Sequence, residues 1–255
     1  MDSILEVKNI DFSYHTNEGE TLALKQVSFA VNEGEFIAIV GPSGCGKSTL
    51  LHLIAGLLKP EAGLITYRGN ITPGGGAVLG YMLHRDELLE WRNIYANIIL
   101  GLEIQHKLTS ENKARVWHLL SAYGLKSFAY SRPSELSGGM RQRAALIRTL
   151  VLNPDILLLD EPFSALDYQT RLTVSDDIGK IIRNEKKSAL LVTHDLSEAI
   201  SLADRIIILS ERPATVHQTV RITFSHPELS PLERRSAPEF KTYFNLIWKE
   251  LNHSE

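Results

Sequence analysis

The stretch Phe36-Ile37-Ala38-Ile39-Val40-Gly41-Pro42-Ser43-Gly44-Cys45-Gly46-Lys47-Ser48-Thr49 is an apolar run that empties into a glycine-rich loop. The run is continuously apolar and rich in β-branched residues, which predicts a strand buried on both faces. Lys47 to Ala55 reads as a helix, so the loop joins a strand to a helix N-terminus. Glycines let backbone N–H groups converge on the oxygens of a β-phosphate, and a helix N-terminus favours negative charge. The expected nucleotide contacts are therefore Gly41, Pro42, Ser43, Gly44, Cys45 and Gly46 around the β-phosphate and Lys47 bridging the β- and γ-phosphates. Thr49 would lie near the α-phosphate, and Ser48 would ligate Mg²⁺.

Outward from this loop, the first ~35 residues alternate apolar and polar, as in Leu5-Glu6-Val7-Lys8, and read as antiparallel edge strands. Ile65 to Tyr67 and Ala77 to Met82 read as strands separated by a turn at Pro73-Gly74-Gly75-Gly76. From about Arg92 to Leu152 the pattern turns helical. Ser110 is the expected N-cap of one helix, with Ala114, Trp117, Leu120 and Tyr123 along its apolar face. Ser137 caps another, carrying Ala144, Ala145, Ile147 and Leu150. Ile156–Leu159 and Ala189–Val192 are β-type runs with a helix near Thr170–Ile182 between them, and Asp195 and Glu198 have capping-box spacing. Arg205–Leu209 leads into a hairpin, then a Pro-punctuated linker from His226 to Pro238 and a final helix from about Glu239. The expected architecture is a parallel-sheet α/β core with a helical insertion.

Composition narrows the function classes. A chain of 255 residues, 44% hydrophobic, can bury a full core. A net charge of −3 argues against a nucleic-acid surface, and a single cysteine excludes an internal disulfide framework. The Met1-Asp2-Ser3-Ile4-Leu5-Glu6 start shows no signal peptide, and no apolar run approaches the ~18 residues of a membrane span. The expectation is a soluble, cytoplasmic-type chain that meets a membrane only through a partner.

Three further motifs make the reading specific. They are Leu136-Ser137-Gly138-Gly139-Met140-Arg141-Gln142-Arg143, then Ile156-Leu157-Leu158-Leu159-Asp160-Glu161 with Ser164-Ala165-Leu166-Asp167, then Val192-Thr193-His194-Asp195. In this order and spacing, from about Leu5 to the C-terminus, the chain resembles the ATP-binding cassette (ABC) ATPases. The resemblance implies a P-loop NTPase core with a parallel sheet, an N-terminal antiparallel β subdomain and an inserted α-helical subdomain. The core would take residues 1–91 and 153–225, the helical subdomain 92–152, and a C-terminal linker and helix 226–255. Its cofactors would be ATP and Mg²⁺.

Asp160 ends a strand of aliphatics, where a carboxylate reaches the ligand-binding edge of the sheet and can hold Mg²⁺. The resemblance makes Glu161 the general base for the attacking water and His194 the histidine that senses the γ-phosphate. Ser137, Gly138 and Gly139 would contact the γ-phosphate bound to an opposite subunit, in a head-to-tail dimer with ATP at two equivalent interfaces. Asp167 would couple the two sites. Tyr14 is placed either to stack on adenine or to pack on the sheet edge. Cys45 is a variable loop position whose alkylation should block nucleotide binding.

One position departs from the family pattern. Glutamine, which there ligates Mg²⁺ and links ATP to the membrane partner, is replaced by His84 in Gly80-Tyr81-Met82-Leu83-His84. Imidazole nitrogen suits Mg²⁺ poorly, so either hydrolysis or coupling is slower than in relatives, or a water-bridged histidine serves equally well. Leu88-Leu89-Glu90-Trp91-Arg92, Asn97, His194–Ala199 and Phe244-Asn245-Leu246-Ile247-Trp248 resemble the nitrate/sulfonate/taurine-type importer branch, with Glu90 in place of a usual proline. That resemblance implies the ATPase subunit of an importer for a small organic solute. It would be a homodimer at the cytoplasmic face of the membrane, under a permease fed by a solute-binding protein and with no nucleic-acid partner. The rival readings are a soluble non-transport ABC ATPase and a weakly hydrolysing ATP-binding regulatory module.

Overall fold

The computed structural model describes residues 3–17, 19–71 and 79–252. The turn expected at Pro73–Gly76, and Ala77 at the head of the following strand, lie outside the described residues. β1 (Ser3–Thr16) and β2 (Gly19–Asn32) form the antiparallel hairpin that alternation predicts. β3 (Phe36–Val40) runs into the glycine loop and α1 (Lys47–Ile54) leaves it. β4 (Ala62–Tyr67) and β5 (Asn70–Ile71) complete a four-stranded sheet of order β2-β1-β4-β5.

β6 (Leu79–Met82) precedes three helices, α2 (Ile94–Ile104), α3 (Ser110–Ala122) and α4 (Gly138–Leu150), with two short 3₁₀ turns before α4. β7 (Ile156–Asp160), α5 (Tyr168–Asn184), β8 (Ser188–Val192), α6 (Leu196–Leu202) and β9 (Arg205–Leu209) alternate as parallel-sheet units do. β10 (Val216–Arg221) returns antiparallel on β9. The linker contains a short helix, α7 (Pro231–Arg234), before the terminal α8 (Pro238–Asn252). The second sheet has the order β10-β9-β3-β8-β7-β6 and is parallel except at β10.

Period-2 geometry explains why the central strands read as unbroken apolar runs. Phe36, Ala38 and Val40 of β3 face a core shared with α2 to α6 and α8, whereas Ile37 and Ile39 face α1 and the antiparallel sheet. β7 divides likewise, with Leu157 and Leu159 on the first side and Ile156 and Leu158 on the second. The outcome is a layered α/β molecule in which five parallel strands deliver their carboxyl ends to one edge.

Some local expectations change. Thr109, not Ser110, caps α3, accepting from Asn112 N–H at 3.2 Å. Two adjacent hydroxyls compete there, and the β-branched threonine holds the extended conformation a cap requires. The buried face of α3 is Val116, Leu119 and Leu120; Ala114 is exposed, and Trp117 is held half-buried by stacking on Tyr95 at 5.2 Å. Ser137 and Asp195 cap α4 and α6 as expected. The capping box does not close, because Glu198 is buried and takes a 2.7 Å bond from Thr193 Oγ1 instead. No helix among the described residues is long and apolar enough to cross a membrane.

Candidate active site

Between β3 and α1, the loop turns tightly enough that Gly46 adopts φ 125°. That conformation demands glycine, and a Cβ there would also press on the Leu24 side chain, 2.9 Å from its Cδ2. No side chain caps α1, which leaves its leading N–H groups directed into a cavity of about 610 Å³. Ser43, Gly44, Gly46, Lys47, Ser48 and Thr49 line one side of that cavity. Tyr14, Glu161, His194 and Arg212 line the rest. Lys47, only 7% exposed, donates from Nζ to the Gly41 and Pro42 carbonyls at 2.9 Å each.

The sheet edge brings the distant groups together. Asp160 ends β7 and accepts from Ser48 Oγ on Oδ1 at 2.9 Å and from Tyr81 Oη on Oδ2 at 3.1 Å. Burial, together with the Asp160 carboxylate, pushes the Tyr81 phenol well above its ordinary pKa, so Tyr81 remains a donor. Glu161 follows at φ 45°, a left-handed conformation uncommon for a side-chain-bearing residue. It is pinned by its own N–H on the Val192 carbonyl at 2.9 Å and by Ser164 Oγ donating to its carbonyl at 2.9 Å. His194, just beyond β8, sets Nδ1 3.2 Å from Glu161 Oε2. Tyr14 Oη and Thr49 Oγ1 are 2.9 Å apart, and Phe12 meets the Tyr14 ring edge-on at 5.0 Å.

Several candidate site residues lie outside this cavity. Cys45 is 2% exposed and packs its thiol into the core under the loop, where burial raises its pKa. Only its backbone can serve a nucleotide, and the thiol whose alkylation is expected to block binding is shielded and weakly nucleophilic. His84 does not line the cavity. Its Nδ1 lies 2.8 Å from Ser164 Oγ, which ties the ring to the backbone of Glu161. The Ser137-Gly138-Gly139 turn opens α4 on a different surface, and Gly138 borders a separate cavity with Arg85, Asp86 and Leu166. Gly139 presses so closely on α5 that a Cβ would lie 2.6 Å from Val174 Cγ2. Asp167 caps α5 through Thr170 N–H at 3.1 Å, a bond that holds its carboxyl below the usual range.

Tyr81 and Arg212 reach the site without a role in any of the sequence motifs. Tyr81 is legible only through its parallel register with Leu158, two residues before Asp160. Arg212 sits in a turn with no local motif. Asn97, in sequence only a marker of subtype, is fully buried and organises the segment after β6. It accepts from Leu89 N–H at 2.7 Å and donates to the carbonyls of Leu89, Arg92 and Asn93.

Comparison with known proteins accords with this geometry. A family model described as ABC transporter matches residues 24–164. The ABC transporter ATP-binding protein YtlC of Bacillus subtilis (strain 168) is 44% identical, covering 99% of this chain and 97% of its own length. The nitrate import ATP-binding protein NrtD of Synechocystis sp. is 37% identical over 95% of this chain and 93% of its own. The taurine import ATP-binding protein TauB of Jannaschia sp. is 37% identical over 87% and 83%. Among solved structures, the dimeric cassette MJ0796 in a post-hydrolysis state with ADP and Pi superposes at a TM-score of 0.72. It is 30% identical and covers 86% of this chain and 99% of that one. With a phosphate loop, a carboxylate pair and a histidine converging on one sheet edge, the chain belongs to the ABC transporter family, as one of its ATP-binding, ATP-hydrolysing cassettes.

Proposed function

We propose that this cassette powers uptake of a small organic solute, acting as a homodimer at the cytoplasmic face of the membrane. Its partners are a transmembrane permease and, indirectly, a solute-binding protein. The observation that carries the reading is the separation of two half-sites. Tyr14, the phosphate loop, Glu161 and His194 share one cavity, whereas Ser137–Gly139 opens on another surface with no phosphate loop beside it. A second copy turned head to tail would bring the missing half to each cavity. The taurine and nitrate import relatives support the direction of transport. Residues 92–152 act in this scheme as a helical subdomain between the nucleotide and the permease.

In hydrolysis, Lys47 and the loop N–H groups hold the β- and γ-phosphates, and Tyr14 stacks on adenine. Glu161 takes a proton from the attacking water while His194, 3.2 Å away, orients the carboxylate and the γ-phosphate. Ser48 Oγ and Asp160 Oδ1, 2.9 Å apart, are an all-oxygen donor pair of the kind Mg²⁺ selects, and would hold it. Bound there, Mg²⁺ supplies charge neutralisation to the phosphate oxygens. Tyr81 fixes the second oxygen of Asp160.

The test is purification of a Glu161→Gln chain, with ATP present, from gently solubilised membranes of cells expressing it. The expected result is a co-purifying polytopic membrane protein and ATP turnover at least about 10²-fold below wild type. Recovery as a free chain, or turnover within tenfold of wild type, contradicts the transport role and the base assignment respectively.

A further inference from the structure

The turn between β9 and β10 enters the site from outside every sequence motif, on a rigid mounting. Ala214 N–H donates to the Ala23 carbonyl and Lys25 N–H to the Ala214 carbonyl, both at 2.9 Å, which anchors the turn to β2. Ser210 N–H closes it on the Thr215 carbonyl at 3.0 Å. From this mounting Arg212 Nη2 donates to the carbonyl of Gly44, at the middle of the phosphate loop, and the side chain lines the same cavity as Lys47.

The use made of that guanidinium is incomplete. Arginine carries five N–H donors, and among the described residues only the bond to Gly44 is made and no carboxylate pairs with the charge. Lys47, by contrast, is already engaged with two loop carbonyls. Two cations therefore face one concave surface lined by backbone N–H groups, an arrangement that a polyanion relieves. A brace for Gly44 alone would need a donor but no charge.

We propose that Arg212 is a phosphate-recognition residue: it braces Gly44 and turns its remaining N–H groups and its charge onto the phosphate chain of bound ATP. The inference rests on the reading of this cavity as the ATP site. It assigns a nucleotide contact to a segment more than 160 residues from the loop, Gly44 and Arg212 being separated by 168 positions.

The test is equilibrium binding of a non-hydrolysable ATP analogue with Mg²⁺ to the purified full chain, as a function of salt. Arg212→Gln keeps a donor for Gly44 and removes the charge, whereas Arg212→Lys keeps the charge. The expected result is an affinity loss of about tenfold for the Gln variant with a shallower salt dependence. The Lys variant, which keeps the charge but not the fork of donors, should lose less affinity than the Gln variant and keep the wild-type salt dependence, and thermal midpoints should be unchanged. A Gln variant that binds like wild type, or one that loses affinity only together with thermal stability, overturns the proposal by leaving Arg212 a brace. Lys47→Ala separates the two levels. If it abolishes binding while Arg212→Gln does not, only the arginine assignment falls; if neither matters, the cavity is not the ATP site and both readings fall.

Discussion

Single residues divide into those announced by their neighbours and those delivered by the fold. Lys47, Ser48, Asp160 and Glu161 were legible because each stands within a contiguous motif whose backbone geometry is local. Tyr81 and Arg212 arrive by sheet register and by a distant turn, and no short window of sequence contains the reason for them. Glu198 is a third case, where the spacing was right and the partner wrong. Burial first, and then the nearby Asp195 carboxylate, push its pKa up to about 7, against the opposing pull of the Thr193 bond, Arg171 and Arg235. A carboxyl raised from 4.5 to about 7 on folding binds more protons in the native than in the unfolded chain between those values. Stability contributed by this group is therefore complete below pH ~4.5 and lost as pH climbs to ~7, by on the order of 3 kcal/mol. Glu198→Gln keeps a hydrogen-bonding head and removes the ionisation. Urea melts should show that variant more stable than wild type at pH 8, with the difference shrinking at pH 5. A difference independent of pH would show that Glu198 does not ionise there.

At the scale of elements, Ser137 and Asp195 cap where the sequence places them and Thr109 displaces the adjacent Ser110, whereas the caps at Asn93, Asp167 and Ser230 do not stand out beside helices whose starts are less sharply patterned. Periodicity misplaced the α3 face because Trp117 is apolar yet sits at a stacking edge, while Ala114 is small enough to stand in water at little cost. The segment between β6 and α2 has no regular structure to predict, and its shape is instead set from outside. Arg148 donates to the Asp86 and Glu87 carbonyls at 2.7 Å each, Arg141 pairs with Asp86 at 3.0 Å, and Asn97 satisfies the chain from Leu89 to Asn93. Removing the Asn97 amide orphans a backbone N–H and strips a partner from three carbonyls in a dry place. Asn97→Ala should therefore cost about 2–4 kcal/mol. Chemical denaturation measures this directly, and a loss under about 0.5 kcal/mol would mean that water replaces the amide.

Across the whole molecule, the motifs established the fold class but not the strand order, because strands buried on both faces carry no sign of which neighbour or which side each residue meets. The inferred dimer follows from the two separated half-sites, and mixing tests it. A Ser137→Arg chain spoils the surface offered to a partner, and a Lys47→Ala chain spoils its own cavity. Each alone should be inactive, yet together they should recover ATP turnover, since one site of each mixed dimer is intact. No recovery on mixing would place both halves of the site in one chain. The division of the central strands between two cores has its own consequence for how such a protein can change. Side chains one position apart on β3 or β7 live in different compartments. A single-residue deletion within a strand would exchange the contents of the two compartments beyond it, sending Phe36-sized bulk toward α1 and opening a void on the helical side. Loops can drift in length over time, but these strands are held to a fixed count, like teeth on a gear that must mesh on both sides at once.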